Sequence, residues 1–149
     1  MIPTPPQNLA RSVRLNRHFA PLPGLFDLPL PQAKLVRAFR LTVLHGKANQ
    51  CPLQATAPLL GGVAAAAQFV RVVQVFGAHW PEAIRIYRPC CPRVSPDEQL
   101  LLDLVHAILM ADGAGFRRAL SDMLPDAAIA AVQAEIAGFT AAHIVVNRR

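Results

Sequence analysis

Two cysteines stand side by side in "RPCCPRVSPDE", Arg88 to Glu98, and a third, Cys51, is like Cys91 followed by proline. Thiolates are ligands for soft metals and nucleophiles toward electrophiles. Arg88 and Arg93 flank the pair, and the positive end of a helix follows it. That is the electrostatic setting in which cysteines meet metal ions and electrophiles. Cysteine–proline pairs are common beside iron–sulfur ligands. Cys51, Cys90 and Cys91 with His45 or His79 could fill the four positions of a zinc ion or an iron–sulfur cluster. Against this, the chain has no CxxC pair, and two adjacent cysteines on one cluster strain the backbone. Small thiols also pack well in a core. Packing, a metal or cluster site, and a reactive or redox thiol therefore all stay open.

Catalysis has less to stand on. His45, His79 and His106 could serve as a base to a cysteine, but few polar residues are available to orient one or to form an oxyanion site. Asp97, Glu98 and Asp126 lie at helix starts, where capping accounts for them. His18 and His143 carry no motif. The expectation is a non-enzymatic protein that binds a partner, with a protein partner or a regulatory role foreseen.

A second chemistry is basic. Residues 1–50 hold seven Lys/Arg against Asp27 alone, residues 51–94 four against Glu82, and residues 95–149 four against seven acids. The excess positive charge thus belongs to the N-terminal two thirds. It could steer nucleic acid, or pair one part of the fold with another. Arg11, Arg14 and Arg17 recur at three-residue spacing, as do Lys34, Arg37 and Arg40. Neither set has the interleaved aromatics of a single-strand platform, so nucleic-acid association is the alternative reading. A structural subunit of a larger assembly is a third, favoured if the "VVQVF" side of the central helix is exposed as an apolar patch.

The elements that must position these residues are helical. At 149 residues, 53% apolar and 16% charged, the chain is one domain able to bury a core unaided. Apolar content dominated by Ala, Leu and Val favours packed helices, so the fold class is all-α: a bundle of about five helices with at most one short strand. Residues 1–30 form a proline-rich basic arm, and residues 31–149 one helical domain with an acidic helical subdomain over 95–146. The first helix starts near Pro31 and carries Leu35, Val36, Phe39 and Val43 as its stripe, with Gly46 as its cap. The spacing predicts a central buried helix from about Pro58 to Gly77, in which Gly61-Gly62 allows a neighbour's close approach. Ile84 and Ile86 alternate with Arg85 and Tyr87 as a short extended segment, and Trp80 reads as a core plug. Ser95, Pro96 and Glu98 spell a helix start: N-cap, proline at the first position and capping-box acid at the third. That helix should end at Gly113, with two more following, split by Pro125.

No charge occurs from Ala48 to Val70, yet polar residues and weakly apolar alanines make a buried helix the better reading than a membrane span. The odd cysteine count and the lack of an apolar h-region near the start point to a cytoplasmic protein with reduced thiols.

In "RPCCPRVSPDEQLLLDL", "LHGKANQCPL" and "GAGFRRALSDMLP" the chain resembles a family of small alphaproteobacterial proteins of unknown function that share a "CP" loop, an "RPCCPRLSPDE" loop and a helical C-terminus. The resemblance implies a compact helical protein. It supplies no catalytic residues, and it fits the idea that the three cysteines belong to one site.

Overall fold

The uncharged run from Ala48 to Val70 is not one helix. In the computed structural model, which describes residues 22–144, glycine breaks it. A 3-10 turn (Leu25–Asp27) leads into α1 (Leu30–Lys47), then α2 (Leu53–Leu60), α3 (Val63–His79), α4 (Pro96–Leu109), α5 (Gly113–Leu120) and α6 (Asp126–Phe139), which ends in a π-turn (Thr140–Ile144). Six α-helices therefore stand where about five were expected, because the central run supplies two. No strand forms among the described residues, and the extended segment through Ile84–Tyr87 stays unpaired as a ladder. One isolated antiparallel bridge joins Gly24 to Arg93.

The break at Gly61-Gly62 is conformational. Gly61 sits in the left-handed region (φ 87°, ψ 15°) as the C-cap of α2, and Gly62 has φ 145°, ψ 171°, a region open essentially to glycine alone. A Cβ at Gly62 would meet nothing within 4 Å, so Gly62 serves the turn and not the close helix approach that the glycine pair suggested. The two helices meet at 111°. Helix α2 also begins earlier than expected, at Leu53, and carries Pro58 inside it. No single described helix is long and apolar enough to cross a membrane, and only α2 and α3 taken together, bent as they are, would have the length and composition.

Two other ends differ from expectation for a related reason. Helix α1 runs through Gly46 to Lys47, and the chain reverses at Asn49 (φ 53°), a residue type that tolerates the left-handed region. Helix α4 stops at Leu109, Ala111 takes the positive φ (54°), and Gly113 opens α5 behind an Asp112 cap whose Oδ1 accepts from the Gly115 N–H at 2.9 Å.

Packing follows the apolar stripes. Helix α3 lies at the centre, against α2 on one side and α6 on the other, while α1 contacts α2, α3 and α4. Ala65, Ala66, Phe69, Val72, Val73 and Phe76 of α3 are buried, so the "VVQVF" segment is core and offers no exposed apolar patch. Phe69 meets Phe139 of α6 at 5.4 Å between ring centroids, and Trp80 stacks on Phe76 at 4.8 Å, as a plug at the helix end should. Buried Thr42 and Thr56 donate to the carbonyls of Ala38 and Pro52, both at 2.8 Å, which satisfies their hydroxyls within their own helices.

Gly62→Ala should destabilise the protein by about 1–3 kcal/mol in urea unfolding, the order of cost for a non-glycine residue in that region. Gly46→Ala, within α1 and with nothing within 4 Å of its Cβ position, should instead stabilise it by about 0.5–1 kcal/mol. Equal signs for the two would contradict the turn.

Candidate binding site

The cysteine pair lies in a tight turn whose geometry is dictated by its proline. The Cys91 N–H donates to the Arg88 carbonyl at 2.9 Å, making Pro89 the second residue of a four-residue turn, where its fixed φ is favoured. Cys90 and Cys91 occupy the third and fourth positions. Cys90 is exposed and Cys91 half-buried.

What holds this turn to the body is an arginine from α1. Arg40 is fully buried (0% exposed), and its five N–H groups each find an acceptor. Nε donates to the Glu98 carboxylate at 2.9 Å and Nη2 to its other oxygen at 3.0 Å. Nη1 donates to the carbonyls of Arg88 at 3.1 Å and Cys91 at 2.8 Å, and Nη2 also donates to the Arg93 carbonyl. Three carbonyls on the inner side of the loop converge on one guanidinium. A planar fork suits this, whereas an ammonium could not span it.

Glu98 is the other half of the arrangement and is equally buried (0% exposed). Besides Arg40, it accepts from the Ser95 N–H at 3.2 Å, while the Ser95 hydroxyl accepts from the Glu98 N–H at 3.1 Å. The capping box expected from the sequence is thus present, and its acid does a second task. Ser95 Oγ also donates to the Arg85 carbonyl at 2.7 Å, and the Arg85 N–H donates to Asp97 Oδ2 at 2.7 Å. The first turn of α4 therefore fixes the extended segment before the loop. On the far side the Leu25 N–H donates to the Pro92 carbonyl at 2.6 Å, pinning the loop a third time.

The predicted sites fare differently. Arg40 was placed in a basic patch with Lys34 and Arg37, but it is buried and paired, so that patch does not exist as a row of three. Lys34 is half-buried and Arg37 exposed. Arg11, Arg14 and Arg17 lie outside the described residues. Of the cysteines, Cys51 and Cys90 are exposed, which rules out core packing for those two. No group of three or more His, Cys, Asp or Glu residues among the described ones is arranged to hold a metal ion, so Cys51, Cys90, Cys91, His45 and His79 are not gathered into the foreseen four-coordinate site. Cys51 stands in the α1–α2 loop. His79 is exposed at the end of α3. His45 is half-buried in the last turn of α1, and its Nδ1 is buried with no hydrogen-bond partner among the described residues.

Around the turn the exposed surface is cationic. Arg85, Arg88 and Arg93 are all exposed, and the Arg93 guanidinium lies 5.7 Å from the Tyr87 ring centroid, a cation–π distance. The residues missed in the sequence, Arg40 as organiser and Leu25 as a clamp, act across 48 or more positions of chain. One local signal could have revealed Arg40. At 100° per residue it lies about 120° round α1 from Lys34 and only about 40° from Val36, at the edge of the apolar stripe. The chain matches no protein-family model, no curated protein and no solved structure.

Removing one member of a buried ion pair strands the other, so Glu98→Ala should lower stability by about 3–5 kcal/mol. Replacing both with apolar residues is often harmless in other proteins. Here the double variant Arg40→Met, Glu98→Leu should stay roughly 2 kcal/mol or more below wild type, because the Arg88, Cys91 and Arg93 carbonyls lose their donors. Cys91 should also alkylate faster in it. A double variant as stable and as slowly labelled as wild type would remove Arg40 as the loop's organiser.

Proposed function

We propose that this is a non-enzymatic binding protein whose working element is the Cys90–Cys91 turn, offered as a thiol pair to a soft, thiophilic metal ion. The observation that carries this reading is the buried Arg40–Glu98 pair. It spends two desolvated charges on fixing the backbone of a turn whose thiols are left accessible. Preorganising ligands in this way lowers the entropy lost on binding.

The donor set limits the metal. Structural zinc is held by four ligands, and Cys51, His45 and His79 do not join the pair. Two adjacent thiolates suit ions that accept low coordination numbers and prefer sulfur, of which copper(I) is the biological example. Both thiols release their protons as the metal binds. Arg85, Arg88 and Arg93 surround the turn with positive charge, which offsets the negative charge of a bis-thiolate complex. The nucleic-acid alternative loses its best helical patch with Arg40 buried.

Anaerobic titration of the full chain with copper(I), against a competing chelator, tests this reading. One ion per chain should bind, and Cys90→Ser or Cys91→Ser should each weaken it by about 100-fold or more, whereas Cys51→Ser should leave it unchanged. Retained affinity in Cys90→Ser, or dependence on Cys51, would overturn the assignment. Zinc or iron and sulfide in stoichiometric amounts in anaerobically purified protein would replace it with the four-coordinate site.

A further inference from the structure

Away from the cysteine turn, a groove of about 560 Å³ opens between the start of α1, the end of α2, the C-terminal half of α4 and the end of α6. Its volume falls in the range of small-molecule sites. The walls are largely apolar: Leu30, Leu35, Leu60, Val105 and Leu109, with Phe139 also in the lining. Leu30 is 66% and Leu109 39% exposed, so apolar surface faces solvent on both sides of the opening.

Three features narrow the occupant. Pro29, Pro31 and Pro58 contribute to the lining, and proline lacks an N–H. That part of the wall therefore offers no backbone donors to a polar ligand. Second, the polar groups at the groove are Lys34, His106, His143 and Gln32, and no Asp or Glu lines it among the described residues. Third, His143 Nε2 is already engaged with Gln68 Oε1, which leaves Lys34 and exposed His106 as the groups available to a carboxylate as cationic donors, with the neutral Gln32 amide beside them. No acid among the described residues forms an ion pair with Lys34.

We propose that this groove binds a single-chain amphiphilic carboxylate, with a fatty acid as the chemical class. The acyl chain would lie against the leucine walls and the carboxylate would reach Lys34 and His106. A peptide partner fits less well, because it carries backbone groups that a proline-walled, largely apolar groove leaves unsatisfied. This site shares no residue with the cysteine turn, so it stands or falls independently of metal binding.

Laurate, below its micelle concentration, is the probe, with dodecanol as the uncharged comparison and calorimetry on the full chain as the readout. Laurate should bind one to one and dodecanol about tenfold more weakly. Lys34→Glu should cost laurate about tenfold with little effect on dodecanol, and His106→Glu, at an exposed position, should act in the same direction. Leu109→Asp should weaken both ligands. Absence of saturable binding, or equal laurate affinity in Lys34→Glu, His106→Glu and wild type, would overturn the proposal. So would concentration-dependent dimerisation that Leu109→Asp abolishes without any laurate binding, since the groove would then be covered by a second copy.

Discussion

A buried guanidinium is tolerable only when every donor is used, and this requirement shapes the protein around Arg40. Five N–H groups need acceptors where the side chain is fully buried. The sequence supplies two carboxylate oxygens from Glu98 and three carbonyls from the loop between α3 and α4. Each solution constrains a different element. Glu98 can reach Arg40 only if α4 starts at Pro96, which the Ser95 cap enforces. The carbonyls can converge only if the loop turns at Pro89. Once α1 and α4 are joined through this pair, the chain between them has little freedom, and the hydrogen bond from the Leu25 N–H closes it from the remaining side.

This division between local and long-range causes decides how much of the fold was legible. The start of α4 was readable because Ser95, Pro96 and Glu98 act within one turn. The helical class was readable from apolar spacing, since Leu35, Val36 and Phe39 of the α1 stripe are buried in the core. Boundaries governed by positive φ were misread. Gly46 and Gly113 looked like C-caps, but Asn49 and Ala111 take the left-handed conformation. Gly61-Gly62 looked like a packing site, yet nothing approaches the Cβ position of Gly62, because an unbroken apolar run hides a corner between two helices.

The candidate site was half legible for the same reason. An arginine-flanked cysteine pair ahead of a capped helix is visible in the sequence, as is its capacity for thiol chemistry. Its support is not. Arg40 is separated from Glu98 by 58 positions, and reading Lys34, Arg37 and Arg40 as one row ignored the drift of three-residue steps round a helix. The groove had no sequence signature at all, since prolines and leucines from three separate segments become a wall only after packing.

The energetics of the Arg40 cluster bear on why a charged pair stands where an apolar one would pack. Desolvating two charges costs several kcal/mol, and the gain from their attraction is often no better than that of hydrophobic replacements. An apolar pair, however, has no means of gathering carbonyls. Loop backbones usually turn their polar groups to water and move accordingly. Here the inner carbonyls of residues 88, 91 and 93 are drawn inward to one cation, so the opposite side of the loop is fixed in space. The thiol of Cys90 projects from a backbone held at three carbonyls, with Cys91 beside it half-covered. What the buried charge contributes is therefore less net stability than a single conformation for the one exposed segment in which two nucleophilic side chains are adjacent.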